Sequence, residues 1–228
     1  MPILVGIDGT GAAIFPGPKR DRKYDVNFAN SFVRRLCDTG NANSLYLRGP
    51  VALGGGLVDA IKTGSRFIQN RRQSGVSEPV LLTGYSRGAA GVIVLARRLK
   101  RKSIQVRAML LFDCVDRHLF IDAEVIPNNV EYVQHVVRDP KASSRGSFGN
   151  DGMKYSPPTV YPAAFAFMCT HGAMGGTPWV PKEGQSPSDI INEGGIDGKT
   201  QITFEEDARV SKLVWAFCQE FICTHGFA

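Results

Sequence analysis

The chain has 228 residues, of which 43% are hydrophobic and 21% are charged, as is typical of one globular domain. Its longest apolar runs, such as AMLLF at 108–112, have the length of a strand, which excludes a transmembrane helix of about 18 or more apolar residues. The net charge is +6, but the densest basic run, RRLKRK at 97–102, lacks interleaved aromatic residues and favours a solvated helix end over a nucleic-acid site.

Strand-like and helix-like patterns alternate along the chain. In chain order we expect a strand at 3–7, a helix at 27–39, a strand at 44–48, a helix after the glycines at 54–56, a strand at 79–83, a helix at 87–100, strands at 105–112 and 130–137, and a last helix from a capping box at Thr203. The alternation predicts an α/β fold with a mainly parallel central sheet and helices on both faces.

Residues 172–202 differ in composition from the rest of the chain. Seven glycines and three prolines fall in these 31 positions, which predicts a long irregular loop. We interpret it either as a lid or binding loop, or as a plain surface excursion. We expect the whole chain, 1–228, to form a single domain.

Polar residues follow the predicted strands at their carboxyl ends, the edge at which open α/β sheets bind ligands. They are Asp8, Gly9 and Thr10 after 3–7, GYSRG at 84–88, Asp113 after 105–112, Arg138 and Asp139 after 130–137, and His171 after the apolar run at 163–170. A hydroxyl nucleophile, two candidate acids and one histidine are therefore expected at a single edge of the sheet.

GYSRG has the Gly-x-Ser-x-Gly pattern of a nucleophile elbow, which requires a preceding strand and a following helix. Both are predicted here. Gly84 and Gly88 are expected to remove side chains that would collide with the neighbouring strand and helix, leaving Ser86 at the sheet edge. The alternative is a serine that caps the helix between two packing glycines.

A serine hydroxyl needs a base to accept its proton, and histidine is the usual base near neutral pH. Of the four histidines, His171 is the preferred candidate because it follows both acids in the chain, the order found in α/β-hydrolases. His118 and His225 lie in polar or terminal contexts, and His135 lies inside a predicted strand.

The residues at the carboxyl ends of the predicted strands also supply candidates for the triad acid and for the oxyanion hole. Asp113 and Asp139 both suit an acid that orients the imidazole, and their spacing leaves both open. The oxyanion hole is predicted to use the backbone N–H of Arg87 and that of Gly9 or Thr10. The segment around Gly9 lacks the Gly-Lys-Ser/Thr ending of a P-loop, and no His or Cys pair in the sequence has the spacing of metal ligands, so we predict no metal site.

Four motifs, in this order, resemble the catalytic domain of type VI secretion phospholipase effectors and related α/β-hydrolases. They are DGT at 8–10, GYSRGA at 84–89, FDCV at 112–115 and THGAMGG at 170–176. The resemblance implies hydrolysis of carboxylic esters, often of glycerophospholipids, without a cofactor. It also implies Asp113 as the acid, with Asp139 as the alternative, and an inhibitory immunity protein as partner if the chain is an exported effector.

We therefore predict a serine hydrolase that acts on an ester or lipid substrate through Ser86, His171 and Asp113. A thioesterase or amidase, and a non-catalytic, partner-binding protein on a hydrolase scaffold, are the alternatives. The start of the chain lacks the pattern of a signal peptide, and the five cysteines show no CxxC spacing. We accordingly expect free thiols and either a cytoplasmic protein or export by a signal-less route.

Overall fold

The computed structural model describes residues 1–12, 17–117 and 121–227. Within these ranges the strands are β1 (Ile3–Ile7), β2 (Ser44–Leu47), β3 (Val80–Tyr85), β4 (Val106–Phe112), β5 (Val125–Ile126), β6 (Val130–Arg138), β7 (Lys154–Tyr155), β8 (Phe165–Phe167), β9 (Ile190–Gly194) and β10 (Gly198–Thr203). The α-helices are α1 (Pro18–Asn27), α2 (Phe32–Cys37), α3 (Leu57–Gln73), α4 (Arg87–Lys100), α5 (His171–Met174) and α6 (Phe204–His225). Every helix in the described ranges is too short or too polar to span a lipid bilayer.

Six strands form the central sheet in the order β2-β1-β3-β4-β6-β8, and every neighbouring pair runs parallel. This confirms the predicted α/β class with a mainly parallel central sheet. The chain places β2 on one side of β1 and β3 on the other, so the strand order reverses at β1. The carboxyl ends of β1 and β3 consequently flank a topological switch point, where open α/β sheets form ligand sites.

Helices cover both faces of the sheet, as predicted, because alternate side chains of each strand point to opposite faces. In β4, Met109 and Leu111 join the core formed with α3 and α4, whereas Leu110 and Phe112 join the core formed with α2 and α6. Burial on both faces explains why these strands are continuous apolar runs in the sequence.

The helix predicted for 27–39 is wrong in its first turn. The chain ends α1 at Asn27 and starts α2 at Phe32, with Ser31 between them in an extended conformation. The Ser31 hydroxyl accepts a hydrogen bond from Arg34 N at 3.0 Å, which makes it the cap of a new helix.

The segment 172–202 is less irregular than predicted. Its last part, together with Thr203, forms the antiparallel hairpin β9–β10, and Ile191 and Ile202 are buried there against Ala142 and Phe204. The glycines at 194, 195 and 198 have positive φ angles and form the turn between the two strands. The glycine-rich composition therefore reflects a tight turn in this part of the segment.

Two glycines allow α4 to begin directly against the sheet. A Cβ on Gly88 would lie 2.1 Å from Ile7 O and 2.3 Å from Asp8 O, and a Cβ on Gly84 would lie 2.7 Å from the backbone of Ala89. The backbone atoms concerned belong to β1, to the residue that follows it and to α4. The predicted reason for both glycines is confirmed.

Replacing Gly88 with alanine should therefore lower the free energy of unfolding by about 2–3 kcal/mol, because backbone must move to admit the methyl group. Gly146→Ala is the matched control, since a Cβ there has no neighbour within 4 Å. Urea unfolding of both variants measures the difference, and equal stability of the two would contradict this account of the contact.

Candidate active site

Ser86 lies in a strained turn between β3 and α4. Its φ of 56° and ψ of −128° fall in a region that residues other than glycine rarely adopt. Neighbouring backbone fixes the turn, because Ser86 N donates to Phe112 O at 3.0 Å and Ser86 O accepts from Ala89 N at 3.0 Å. A sharp turn of this kind is what the elbow pattern predicts.

A chain of hydrogen bonds joins Ser86, His171 and Asp113. His171 Nε2 lies 2.9 Å from Ser86 Oγ, and His171 Nδ1 lies 2.6 Å from Asp113 Oδ2. An ionised carboxylate only accepts hydrogen bonds, so Nδ1 carries the proton and Nε2 is left as the acceptor for the serine hydroxyl. All three residues are buried, and they come from three separate parts of the sheet edge.

The backbone of His171 is held on several sides. His171 N donates to Ser144 Oγ at 2.8 Å, and Tyr85 OH donates to His171 O at 2.9 Å. The preceding residue, Thr170, donates from its backbone N and its hydroxyl to the Asp207 carboxylate at 2.7 and 2.9 Å. These contacts leave the imidazole little freedom to turn away from Ser86.

Asp113 is fully buried and is paired with a cation as well as with His171. Arg138 Nη1 donates to Asp113 Oδ2 at 2.7 Å, and Arg138 N donates to Asp113 Oδ1 at 3.2 Å. Burial alone raises the pKa of Asp113, but the hydrogen bond and charge of His171, followed by those of Arg138, outweigh it and leave the pKa below its ordinary value. The carboxyl group therefore stays ionised.

Arg138 is a structural part of the site that the sequence pattern did not reveal. Its guanidinium also donates to backbone carbonyls of the loop after β6, those of Ser144, Arg145 and Gly149, at 2.9 to 3.0 Å. It thereby attaches this loop to Asp113. The available signal was an arginine that closes β6 directly after two valines, at 136 and 137.

Asp139, the alternative acid, lies outside this chain of hydrogen bonds. Its carboxylate accepts from Lys141 N at 2.8 Å and caps the short turn at 140–142. Asp139 is therefore directed into its own loop, and Asp113 occupies the position beside the His171 imidazole.

The other histidines lie elsewhere or outside the described residues. His135 Nε2 accepts from Cys114 N at 3.2 Å and its Nδ1 lies 3.0 Å from Tyr161 OH. Burial lowers the pKa of His135 to about 4, so it is neutral at physiological pH. His225 ends α6 and packs on Tyr132. His118 is outside the part of the chain that the structure describes.

Of the predicted oxyanion donors, the geometry favours Thr10 and Arg87 over Gly9. Gly9 N already donates to Asp8 Oδ1 at 2.8 Å, and a Cβ on Gly9 would lie 2.5 Å from the Tyr85 ring, so the glycine serves packing. The backbone N–H groups of Thr10 and Arg87 have no hydrogen-bond partner among the described residues. Both residues line the cavity next to the serine.

Asp8 holds the turn after β1 from behind. Its buried carboxylate accepts from Ser31 Oγ, from Tyr46 OH at 2.9 Å and from Gly9 N. Burial raises the pKa of Asp8 to about 6, although these hydrogen bonds oppose the shift. Tyr24 OH donates to Gly9 O at 2.6 Å and fixes the other side of the same turn.

Ser86 and His171 open into a cavity of about 450 Å³, within the size range of small-molecule sites. Three aromatic side chains, Phe28, Tyr85 and Phe148, contribute to its wall. Among the described residues, no group of three His, Cys, Asp or Glu side chains is placed to hold a metal ion.

The segment 172–202, interpreted as a candidate lid, contributes no residue to the described wall of this cavity. The hairpin β9–β10 instead contacts the loop at 144–149, which does contribute residues to the cavity wall. Glu193 accepts from Ser144 Oγ at 3.0 Å and from Arg145 N at 2.8 Å. The hairpin therefore supports the cavity from outside.

No protein-family model matches the sequence, and comparison with curated proteins gives no match either. Solved structures with some likeness include an α/β hydrolase superfamily protein from Enterococcus faecalis, at 14% identity and a TM-score of 0.29. The match covers 50% of this chain and 40% of that one, so this chain spans well under half of that relative. A protein of unknown function from Agrobacterium tumefaciens matches at 17% identity and a TM-score of 0.33, covering 61% and 68% of the two chains. Likenesses this distant carry no functional inference.

Removing the Arg138 cation should destabilise the fold strongly. Arg138→Met leaves a buried carboxylate without its guanidinium and several carbonyls without donors, at a cost of about 3–5 kcal/mol in the free energy of unfolding. Arg107→Met is the control, because its partner Glu131 is half-exposed and such surface pairs contribute up to about 1 kcal/mol. Chemical denaturation compares the two, and similar losses would contradict the account.

The raised pKa of Asp8 predicts how the free energy of unfolding changes with pH. An unfolded aspartate titrates near 3.9, so the folded chain binds more protons between that value and about 6, and the contribution of Asp8 to stability falls as the pH rises through this window. Asp8→Asn abolishes the titration. The stability of the variant relative to wild type should therefore improve by about 2 kcal/mol between pH 4 and pH 7.

Unfolding curves across this pH range test the prediction. Asp59→Asn is the matched control, because Asp59 is exposed on α3 and its ion pair with Lys62 is a surface pair worth at most about 1 kcal/mol. A pH-independent difference for Asp8→Asn would refute the assignment of a raised pKa to Asp8.

Proposed function

We propose that the protein is a serine hydrolase that cleaves carboxylic esters through an acyl-enzyme. The observation that carries the proposal is the continuous hydrogen-bonded chain from Ser86 Oγ through His171 to Asp113, which opens into a cavity. A serine in a strained turn at a helix N-terminus, with an imidazole acceptor 2.9 Å away, is suited to nucleophilic attack on an acyl group.

In the proposed mechanism, Ser86 Oγ attacks the acyl carbon while His171 Nε2 takes its proton. The protonated imidazole then gives this proton to the leaving alcohol, and the acyl group stays on the serine. Water, deprotonated by the same imidazole, releases the acid and restores the enzyme. Asp113 keeps the imidazole in the required tautomer and stabilises its charged form.

Support for the oxyanion site comes from two free backbone donors. The N–H groups of Thr10 and Arg87 have no partner among the described residues, and both residues line the cavity. In our proposal they hold the oxygen of the tetrahedral intermediate, with added stabilisation from the N-terminus of α4.

The proposed site could act on several classes of acyl compound. Carboxylic esters, including those of lipids and phospholipids, are preferred on the resemblance of the four motifs. Thioesters and amides pass through the same tetrahedral intermediate. Rates on a matched ester, thioester and amide with one acyl chain would rank these classes. An immunity protein as partner rests on the resemblance alone.

Replacing Ser86 with alanine should lower turnover of p-nitrophenyl butyrate by at least about 10³-fold, because no other group in the proposed mechanism forms the acyl-enzyme. Ser74→Ala, at the exposed end of α3, is the matched control and should keep the wild-type rate. Circular dichroism verifies that both variants are folded. Retained turnover in folded Ser86→Ala would rule out the mechanism.

A further inference from the structure

Three arginines line the cavity beside Ser86, and they differ in whether a carboxylate neutralises their charge. Arg145 is neutralised by two carboxylates, Glu193 at 3.6 Å and Asp197 at 3.3 Å. The other two, Arg87 and Arg117, form no ion pair with any described residue. Two of the three arginines that line the cavity therefore carry a charge that no ion pair among the described residues neutralises.

These two cations also lie close enough to repel each other. Burial lowers the pKa of Arg87, the charge of Arg117 lowers it further, and Asp116 only partly opposes both effects. Arg87 Nη1 donates to Ala52 O at 2.7 Å, a neutral acceptor that leaves its charge uncompensated. Like charges held together at a concave surface are stabilised when an anion binds between them.

A single aromatic ring connects this charge to the reacting groups. The guanidinium carbons of Arg117 and Arg145 each lie 5.4 Å from the centroid of the Phe148 ring. The same ring packs edge-on against the His171 imidazole, at a centroid distance of 5.3 Å. A group bound by Arg117 would thus lie only one ring away from the imidazole that contacts Ser86.

We propose that Arg117 and Arg87 form an anion subsite, so that the preferred substrate is a carboxylic ester with a phosphate or carboxylate group a few bonds from the ester. The inference rests on the proposed esterase function of Ser86 and adds the charge of its substrate. Guanidinium groups suit it, because their planar arrays of N–H donors match both kinds of anion.

The experiment compares kcat/KM for three soluble esters. One is neutral, 4-nitrophenyl butyrate; one carries a carboxylate on the acyl side, 4-nitrophenyl hemiglutarate; and one carries a phosphate on the leaving group, 4-(butyryloxy)phenyl phosphate. Wild type should prefer at least one anionic ester over the neutral one by about tenfold, the effect of one charge-assisted hydrogen bond. The preferred ester identifies whether the anion lies on the acyl or the alcohol side.

Arg117→Gln should reduce the ratio of anionic to neutral kcat/KM by about tenfold. Arg101→Gln is the matched control: it makes the same charge change just beyond the far end of α4, roughly 20 Å along the helix, and should keep the wild-type ratio. Equal kcat/KM values for all three esters in wild type would overturn the subsite. An equal loss of the anionic-to-neutral ratio in Arg117→Gln and Arg101→Gln would overturn it as well.

The two proposals fail in different ways. Serine-dependent turnover without a preference for anionic esters refutes the subsite and leaves the esterase. If no ester is turned over, calorimetric titration of Ser86→Ala with phenyl phosphate tests the subsite directly. Binding that weakens about tenfold when Arg117→Gln is added would support it, and absent or unaffected binding would overturn it.

Discussion

The buried carboxylate of Asp113 is held between the Arg138 guanidinium and the His171 imidazole. A carboxylate without solvent is costly to ionise, and these two partners together keep its pKa low. Each partner is fixed by other parts of the fold, Arg138 by the carbonyls of the loop at 144–149 and His171 by Ser144 and Tyr85. The ion pair therefore couples the end of β4, the loop after β6 and the start of α5.

The sheet topology brings these groups to Ser86. Because all neighbouring strands of the central sheet are parallel, their carboxyl ends share one edge, and the reversal of strand order at β1 opens a crevice there. The turn after β1 supplies Thr10, the turn after β3 supplies Ser86, and β4 ends at Asp113. Gly88 allows α4 to start close to β1, which sets the helix N-terminus beside the crevice.

Much of this arrangement could be predicted from the sequence. Apolar runs located the strands of the central sheet up to β6, and the polar residues after them supplied the groups that the structure joins: Ser86, His171 and Asp113. The contacts of Arg138 and Asp8 could not be predicted, because they depend on loop conformations and on residues remote in the chain. The choice between Gly9 and Thr10 likewise depends on which N–H turns toward Asp8. The hairpin β9–β10 escaped prediction because its strands are short and its glycines resemble those of an irregular loop.

The central claim is that Ser86 is an activated nucleophile. The most direct test is to incubate the folded protein with a fluorophosphonate probe and to map the modified peptide by tandem mass spectrometry. The account predicts one adduct, on Ser86, that does not form when His171 is replaced by alanine. Modification of a different residue, or a folded protein that takes up no probe, would contradict it.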